Sequence, residues 1–213
     1  MNGFSLLPVL TLLAMASGCS NIERSRDLAN PSVPPVVTAM QVCSNCHGVD
    51  GNSASPNFPR LAGQQAAYLL QQLQNFRSHQ RSDPPGFEYM WGISQHLTDD
   101  QLNGLADYFA KQISQPNAAV NAQQMTAGKQ IYENGVAAEE VPPCIACHGA
   151  QAQGVASFPR LADQHQDYMV KQLQVFKSNM GRPDTPMKQI SHLLTDQQMM
   201  DVAGYLQAFP AKN

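Results

Sequence analysis

The sequence carries no excess of positive charge: 13 Lys and Arg stand against 16 Asp and Glu, a formal net charge of −3. Nothing here suggests nucleic-acid binding or a polybasic membrane contact. Few stretches alternate apolar and polar residues with β-branched side chains, so helices rather than a sheet are expected. The apolar run at the N-terminus, Phe4 to Met15, is too short to span a bilayer comfortably. Cysteine is also scarce, with five in 213 residues, and four of these fall in two short stretches.

Those stretches are Cys43-Ser44-Asn45-Cys46-His47 and Cys144-Ile145-Ala146-Cys147-His148. Both read C-x-x-C-H, the attachment sequence of a c-type haem. Two thiols on one helical turn can reach both vinyl groups of a haem and form thioethers. The His that follows is carried under the iron, where its imidazole is the proximal ligand. Two covalently attached haem c groups are therefore expected, on Cys43 and Cys46 and on Cys144 and Cys147, with His47 and His148 on the irons. A zinc or dithiol C-x-x-C that happens to precede a His is the alternative. Two copies, each opening a similar stretch of sequence, weigh against it.

The fifth cysteine, Cys19, follows Ala16-Ser17-Gly18 at the end of the apolar run. Residues 1–19 read as a signal peptide with a lipoprotein cleavage box, although the n-region has no Lys or Arg and Ala16 stands where Leu is commoner. An ordinary export signal with an incidental Cys is the alternative. The expectation is a periplasmic chain tethered through a lipidated Cys19. Residues 20–35, polar and then proline-rich, read as the tether.

The chain repeats itself. Phe58-Pro59-Arg60-Leu61-Ala62 matches Phe158-Pro159-Arg160-Leu161-Ala162, and Leu97-Thr98-Asp99 matches Leu194-Thr195-Asp196. Tyr68, Gln72 and Phe76 match Tyr168, Gln172 and Phe176. Two domains are expected, at 36–114 and 120–213, joined by a linker at 115–119. Apolar spacing predicts helices over 64–77 and 164–177, and Met125 to Glu133 reads as a helix ending at Asn134-Gly135. Thr98 to Gln101 and Thr195 to Gln198 are capping boxes. The proline-rich stretches before Met90 and Met187 read as loops.

An electron carrier fills the sixth position on its iron, often with a Met thioether that favours ferrous iron. Past the signal region the first half offers only Met40 and Met90, and Met40 lies on the proximal side. Met187 stands at the same distance before Leu194-Thr195 as Met90 does before Leu97-Thr98, so the repeat selects it over Met180. Met169, Met199 and Met200 sit at helical positions and read as core. Pro59 and Pro159 are candidates to accept the proximal His ring N–H through their carbonyls, with a simple turn as the alternative. Arg60 and Arg160 are candidates for haem propionates, or solvated arginines. Leu61 and Leu161 are expected to pack on the haem, and Trp91 lines the haem edge or fills the core. His79, His96, His165 and His192 have no counterpart in the other half and read as surface residues.

Taken together, the two C-x-x-C-H motifs, Gly48-Val49-Asp50-Gly51-Asn52-Ser53, the block Asn57 to Gln64 and the paired Met positions resemble the dihaem cytochrome c4 family. The resemblance implies an all-α fold of two tandem class I cytochrome c domains. It implies a carrier, not an enzyme, taking electrons from a quinol-oxidising complex and passing them towards a terminal oxidase. A haem subunit of a larger dehydrogenase or oxidase is the alternative, and a dihaem peroxidase a lesser one. Such domains carry a Gly where the first helix meets the last. Gly128 suits that place in the second half, and no Gly lies between Cys19 and Cys43 in the first.

Overall fold

The computed structural model describes residues 26–178 and 180–211. The expected signal segment and Cys19 lie outside them. Among the described residues the regular structure is helical, apart from isolated bridges at Val136–Val141 and Val155–Phe158. No described helix is long and apolar enough to cross a membrane.

In the first half, α1 (Pro35–Thr38) runs through a wide turn (Ala39–Cys43) into α2 (Ser44–His47). Then follow α3 (Ala66–Arg77), a wide turn (Gly86–Met90) leading into α4 (Trp91–Ser94), and α5 (Asp99–Ala110). The second half repeats the order with α6 (Ala122–Asn134), α7 (Ile145–His148), α8 (Gln166–Lys177), α9 (Pro186–Leu193) and α10 (Asp196–Ala208). Both capping boxes form: Thr98 Oγ1 accepts the Gln101 N–H at 3.2 Å, and Thr195 Oγ1 accepts the Gln198 N–H at 3.2 Å.

The stretch before Met90 is a helical turn and not a loop, whereas residues 181–185 before α9 are a loop as expected. Proline does not oppose a helix at its start, where its missing N–H is one that the helix leaves unpaired anyway, and Pro186 opens α9 in this way. Met169 and Met199 are buried in the second core as expected, but Met200 points out and is 43% exposed. It precedes Asp201 on α10, one position round from the face that packs.

Each half closes where its first helix crosses its last, and the space is made in opposite ways. On α6, a Cβ at Gly128 would lie 2.1 Å from the Asp201 carbonyl oxygen of α10. In the first half the small residue sits on the last helix instead. A Cβ at Gly104 would lie 2.3 Å from Cγ of Pro35. That is why the first half manages without a Gly before Cys43. The expected tether is docked from Leu28 onward: Leu28 packs on the first core, Val33 is buried, and Gln101 Nε2 donates to the carbonyls of Asn30 and Val33 at 3.1 and 3.2 Å.

The halves are pinned together. Asp83, with no exposed surface, pairs with Arg81 at 2.8 Å, and Arg81 also donates to Gln172 Oε1 of the other half at 3.1 Å. The backbone N–H groups of Ser82 and Asp83 donate to the Gly181 carbonyl at 2.7 and 3.1 Å. Burial raises the Asp83 carboxyl, but the Arg81 and Arg182 guanidiniums outweigh it and hold the group below its ordinary value. Its stabilisation is therefore present above the unfolded value of about 3.9 and lost as the pH falls through the lower folded value. Asp83→Asn is expected to cost roughly 2 kcal/mol, because it leaves a buried guanidinium short of its counter-charge. A denaturant midpoint that does not move would refute this.

His165 is not on the surface. It is 6% exposed at the domain junction, with Nε2 2.8 Å from the Ser53 carbonyl and Nδ1 3.2 Å from the Asn117 amide. His79, His96 and His192 are exposed as expected.

Candidate haem sites

Cys43 caps the single turn of α2, which carries Cys46 and His47. Cys144 caps α7, which carries Cys147 and His148. Gly48 and Gly149, at φ +78° and +82°, then turn the chain sharply away. The chain returns beneath the imidazole because one carbonyl gathers two amides: Gly51 O accepts from Leu61 and Ala62 at 2.8 and 3.1 Å, and Ala152 O from Leu161 and Ala162 at the same distances. Gly51 holds φ +77° without penalty, whereas Ala152 holds φ +50° with a side chain.

This return places Pro59 O 2.9 Å from His47 Nδ1 and Pro159 O 3.0 Å from His148 Nδ1. Both proline carbonyls therefore meet the ring N–H as the sequence suggests. Phe58 and Phe158 stand edge-on to the two imidazoles, with ring centres 6.1 and 6.2 Å away. Phe58 in turn meets Tyr89, the neighbour of Met90, with ring centres 6.1 Å apart. Met187 is the second residue of α9, and both Met90 and Met187 are half-buried. The competitors Met40 and Met180 are exposed.

The surroundings are apolar. Burial pushes the Cys43 thiol up to about 12 and the Cys144 thiol to about 11. Burial holds His47 and His148 below the ordinary imidazole value, partly offset by the proline carbonyls. Neutral imidazole with Nδ1–H donated leaves Nε2 to carry the lone pair. Among the described residues no group of three or more His, Cys, Asp or Glu converges as a metal site. The two Cys and one His of each motif therefore do not gather as a tetrahedral zinc site.

Arg60 and Arg160 are buried, which rules out the solvated alternative. Their terminal nitrogens tie the halves together. Arg60 pairs with Asp163 at 3.0 Å, and Arg160 donates to the Ala62 carbonyl at 2.8 Å. Burial lowers Arg160 to about 10. Nε of each arginine is buried without a partner, and an anionic group such as a haem carboxylate would satisfy it. Leu61 and Leu161 pack on the two cores. Trp91 Nε1 donates to the Arg81 carbonyl at 2.7 Å, and its ring stacks on His79 at 4.0 Å.

Gln64 and Gln164 were missed as functional residues in the sequence. Each reaches across to the arginine of the opposite half: Gln164 Oε1 accepts the Arg60 N–H at 2.8 Å, and Gln64 Oε1 accepts the Arg160 N–H at 2.6 Å. Their one visible signal was a matched place at the end of the duplicated block.

The cytochrome c family profile matches residues 37–112 and again 125–209. Cytochrome c-552 of Acidithiobacillus ferridurans is 37% identical over 86% of this chain and 80% of its own length. Cytochrome c4 of Azotobacter vinelandii is 36% identical over 78% of this chain and 83% of its own. The structure of Acidithiobacillus ferrooxidans cytochrome c4 superposes with a TM-score of 0.73 at 40% identity, covering 78% of this chain and 98% of that one. The duplicated helical fold and these relatives agree: the chain belongs to the cytochrome c family, as a two-domain electron carrier of the c4 type with two covalently attached haem c groups.

Proposed function

We propose that Cys43 and Cys46 hold one haem, with His47 and Met90 as its axial pair, and that Cys144 and Cys147 hold the other, with His148 and Met187. The observation that carries this reading is the pinned imidazole, present in both halves: Nδ1 on a proline carbonyl and Nε2 left for the metal. When bound, the haem iron supplies one-electron Fe(III)/Fe(II) chemistry. The residues bury it, fix the ligand orientation and keep water away. With a thioether in each sixth position there is no open site for a substrate, so the protein carries electrons and does not act as an enzyme.

The working units are residues 36–114 and 120–213, with the linker at 115–119. The carrier operates in the periplasm between a quinol-oxidising complex and a terminal oxidase, held near the membrane by a lipid on Cys19. Optical spectra of the holoprotein, oxidised, reduced and reduced with carbon monoxide, test the site. Two low-spin haems that show the Met–iron band and ignore carbon monoxide are expected. A haem that is high-spin, or that binds carbon monoxide readily, would overturn the carrier reading in favour of a peroxidase.

A further inference from the structure

We propose that Gln164 of the second domain is a positioning residue for His47 of the first, and that Gln64 of the first domain serves His148 of the second. Each haem's potential is then set partly by the other domain. This rests on His47 and His148 being the proximal ligands.

The link is one peptide group in each half. The Pro59–Arg60 peptide accepts from His47 Nδ1–H through its carbonyl, at 2.9 Å, and donates its N–H to Gln164 Oε1, at 2.8 Å. The Pro159–Arg160 peptide accepts from His148 Nδ1–H at 3.0 Å and donates to Gln64 Oε1 at 2.6 Å. Carbonyl and N–H of one peptide share electrons by resonance. An acceptor on the N–H therefore draws negative charge onto the carbonyl oxygen and makes it a better partner for the imidazole. A better partner on Nδ1 makes the ring a stronger donor to iron and favours the ferric state.

The glutamines are built to do this without slack. Both are buried. Gln164 Nε2 donates to the Arg60 carbonyl and Gln64 Nε2 to the Arg160 carbonyl, each at 3.0 Å. Binding an N–H and a carbonyl of the same residue decides which end of the amide is oxygen. Each Oε1 also takes the N–H of the following residue, His165 at 3.0 Å and Gln65 at 2.9 Å, which holds the side chain over its own backbone. The arrangement is reciprocal, so the signature is crossed: a change in one domain is read on the haem of the other.

The test uses the holoprotein and variants Gln164→Leu, Gln64→Leu and Gln164→Glu, with each haem's potential followed separately by NMR during a redox titration. Gln164→Leu is expected to raise the potential of the first haem, by roughly a two-fold shift in its oxidised-to-reduced ratio, since one polarising bond changes its neighbour by about 10–30%. The second haem stays nearly still, and the His47 ring N–H resonance moves upfield. Gln64→Leu gives the mirror result. Gln164→Glu keeps the acceptor oxygen, adds charge and lowers the first haem's potential. A shift on the haem of the mutated domain, or an equal shift on both, overturns the proposal. So does a shift of the same sign from Leu and Glu, which separation of the domains would give. A wild-type spectrum without His-ligated low-spin haems would overturn the ligand assignment itself, before any variant is compared.

Discussion

Met187→Ala is expected to open the second haem while leaving the first as it was. Pro186 fixes the start of α9, and Met187 is carried on the first turn behind it. Alanine there keeps the helix, being its best former, and removes only the thioether. The oxidised protein should lose about half of its Met–iron band, because one of the two thioethers is gone. The reduced protein should bind carbon monoxide at one haem. The potential of that haem should fall on the order of 0.1 V, a fraction of the roughly 0.8 V that axial ligands span. Met90→Ala should do the same at the first haem. Met180→Ala and Met200→Ala are the controls: both side chains are exposed, and neither should alter the band. An unchanged spectrum in Met187→Ala, or a lost band in Met180→Ala, would reassign the ligand.

The largest effect on stability is expected at Gly128. A Cβ there would lie 2.1 Å from a backbone oxygen of α10 and 2.5 Å from Cβ of Tyr205. Neither atom can rotate away as a side-chain tip would, so α6 and α10 have to part. These two helices supply Ile131, Tyr132, Val202, Tyr205 and Leu206 to the second core. Gly128→Val should therefore exceed the roughly 3 kcal/mol of ordinary overpacking, with the second domain melting separately and earlier. Gly104→Ala should be milder, because the obstructing atoms belong to the Pro35 ring on the short α1 and not to the backbone of a long helix. Calorimetry of the two variants checks both statements. A Gly128→Val protein that melts like the parent would mean that the helices do not cross so closely.

What could be read in advance was local. The haem motifs, both capping boxes and the helices over Ala66–Arg77 and Gln166–Lys177 depend on residues within a turn or two of each other. The Pro59 and Pro159 carbonyls were also within reach, because the His lies only 12 or 11 residues away. The helical turn at Met90 was hidden because prolines at a helix start look, in sequence, like prolines in a loop. The contacts between domains were hidden for another reason. Gln164 meets Arg60 across 104 residues, and His165 meets Ser53 across 112. No pattern in either neighbourhood announces such a partner. Arg60 could be suspected of a role but not assigned to Asp163, and Gly104 could not be matched to Pro35, since the usual small residue was sought on the other helix.

The segment 115–119 is fastened at both ends. Gln115 N–H donates to Asn52 Oδ1 of the first domain at 2.9 Å, and the Ala118 carbonyl accepts from Gln207 of the second at 3.2 Å. A short span tied down in this way keeps each domain at an effective concentration in the millimolar range or above towards the other. Dilution cannot part them, nor can a competing copy of either domain displace its neighbour. Exchange of an electron between the two haems is therefore a first-order event, with a rate indifferent to how much protein is present. Only delivery and removal of electrons depend on meeting another molecule.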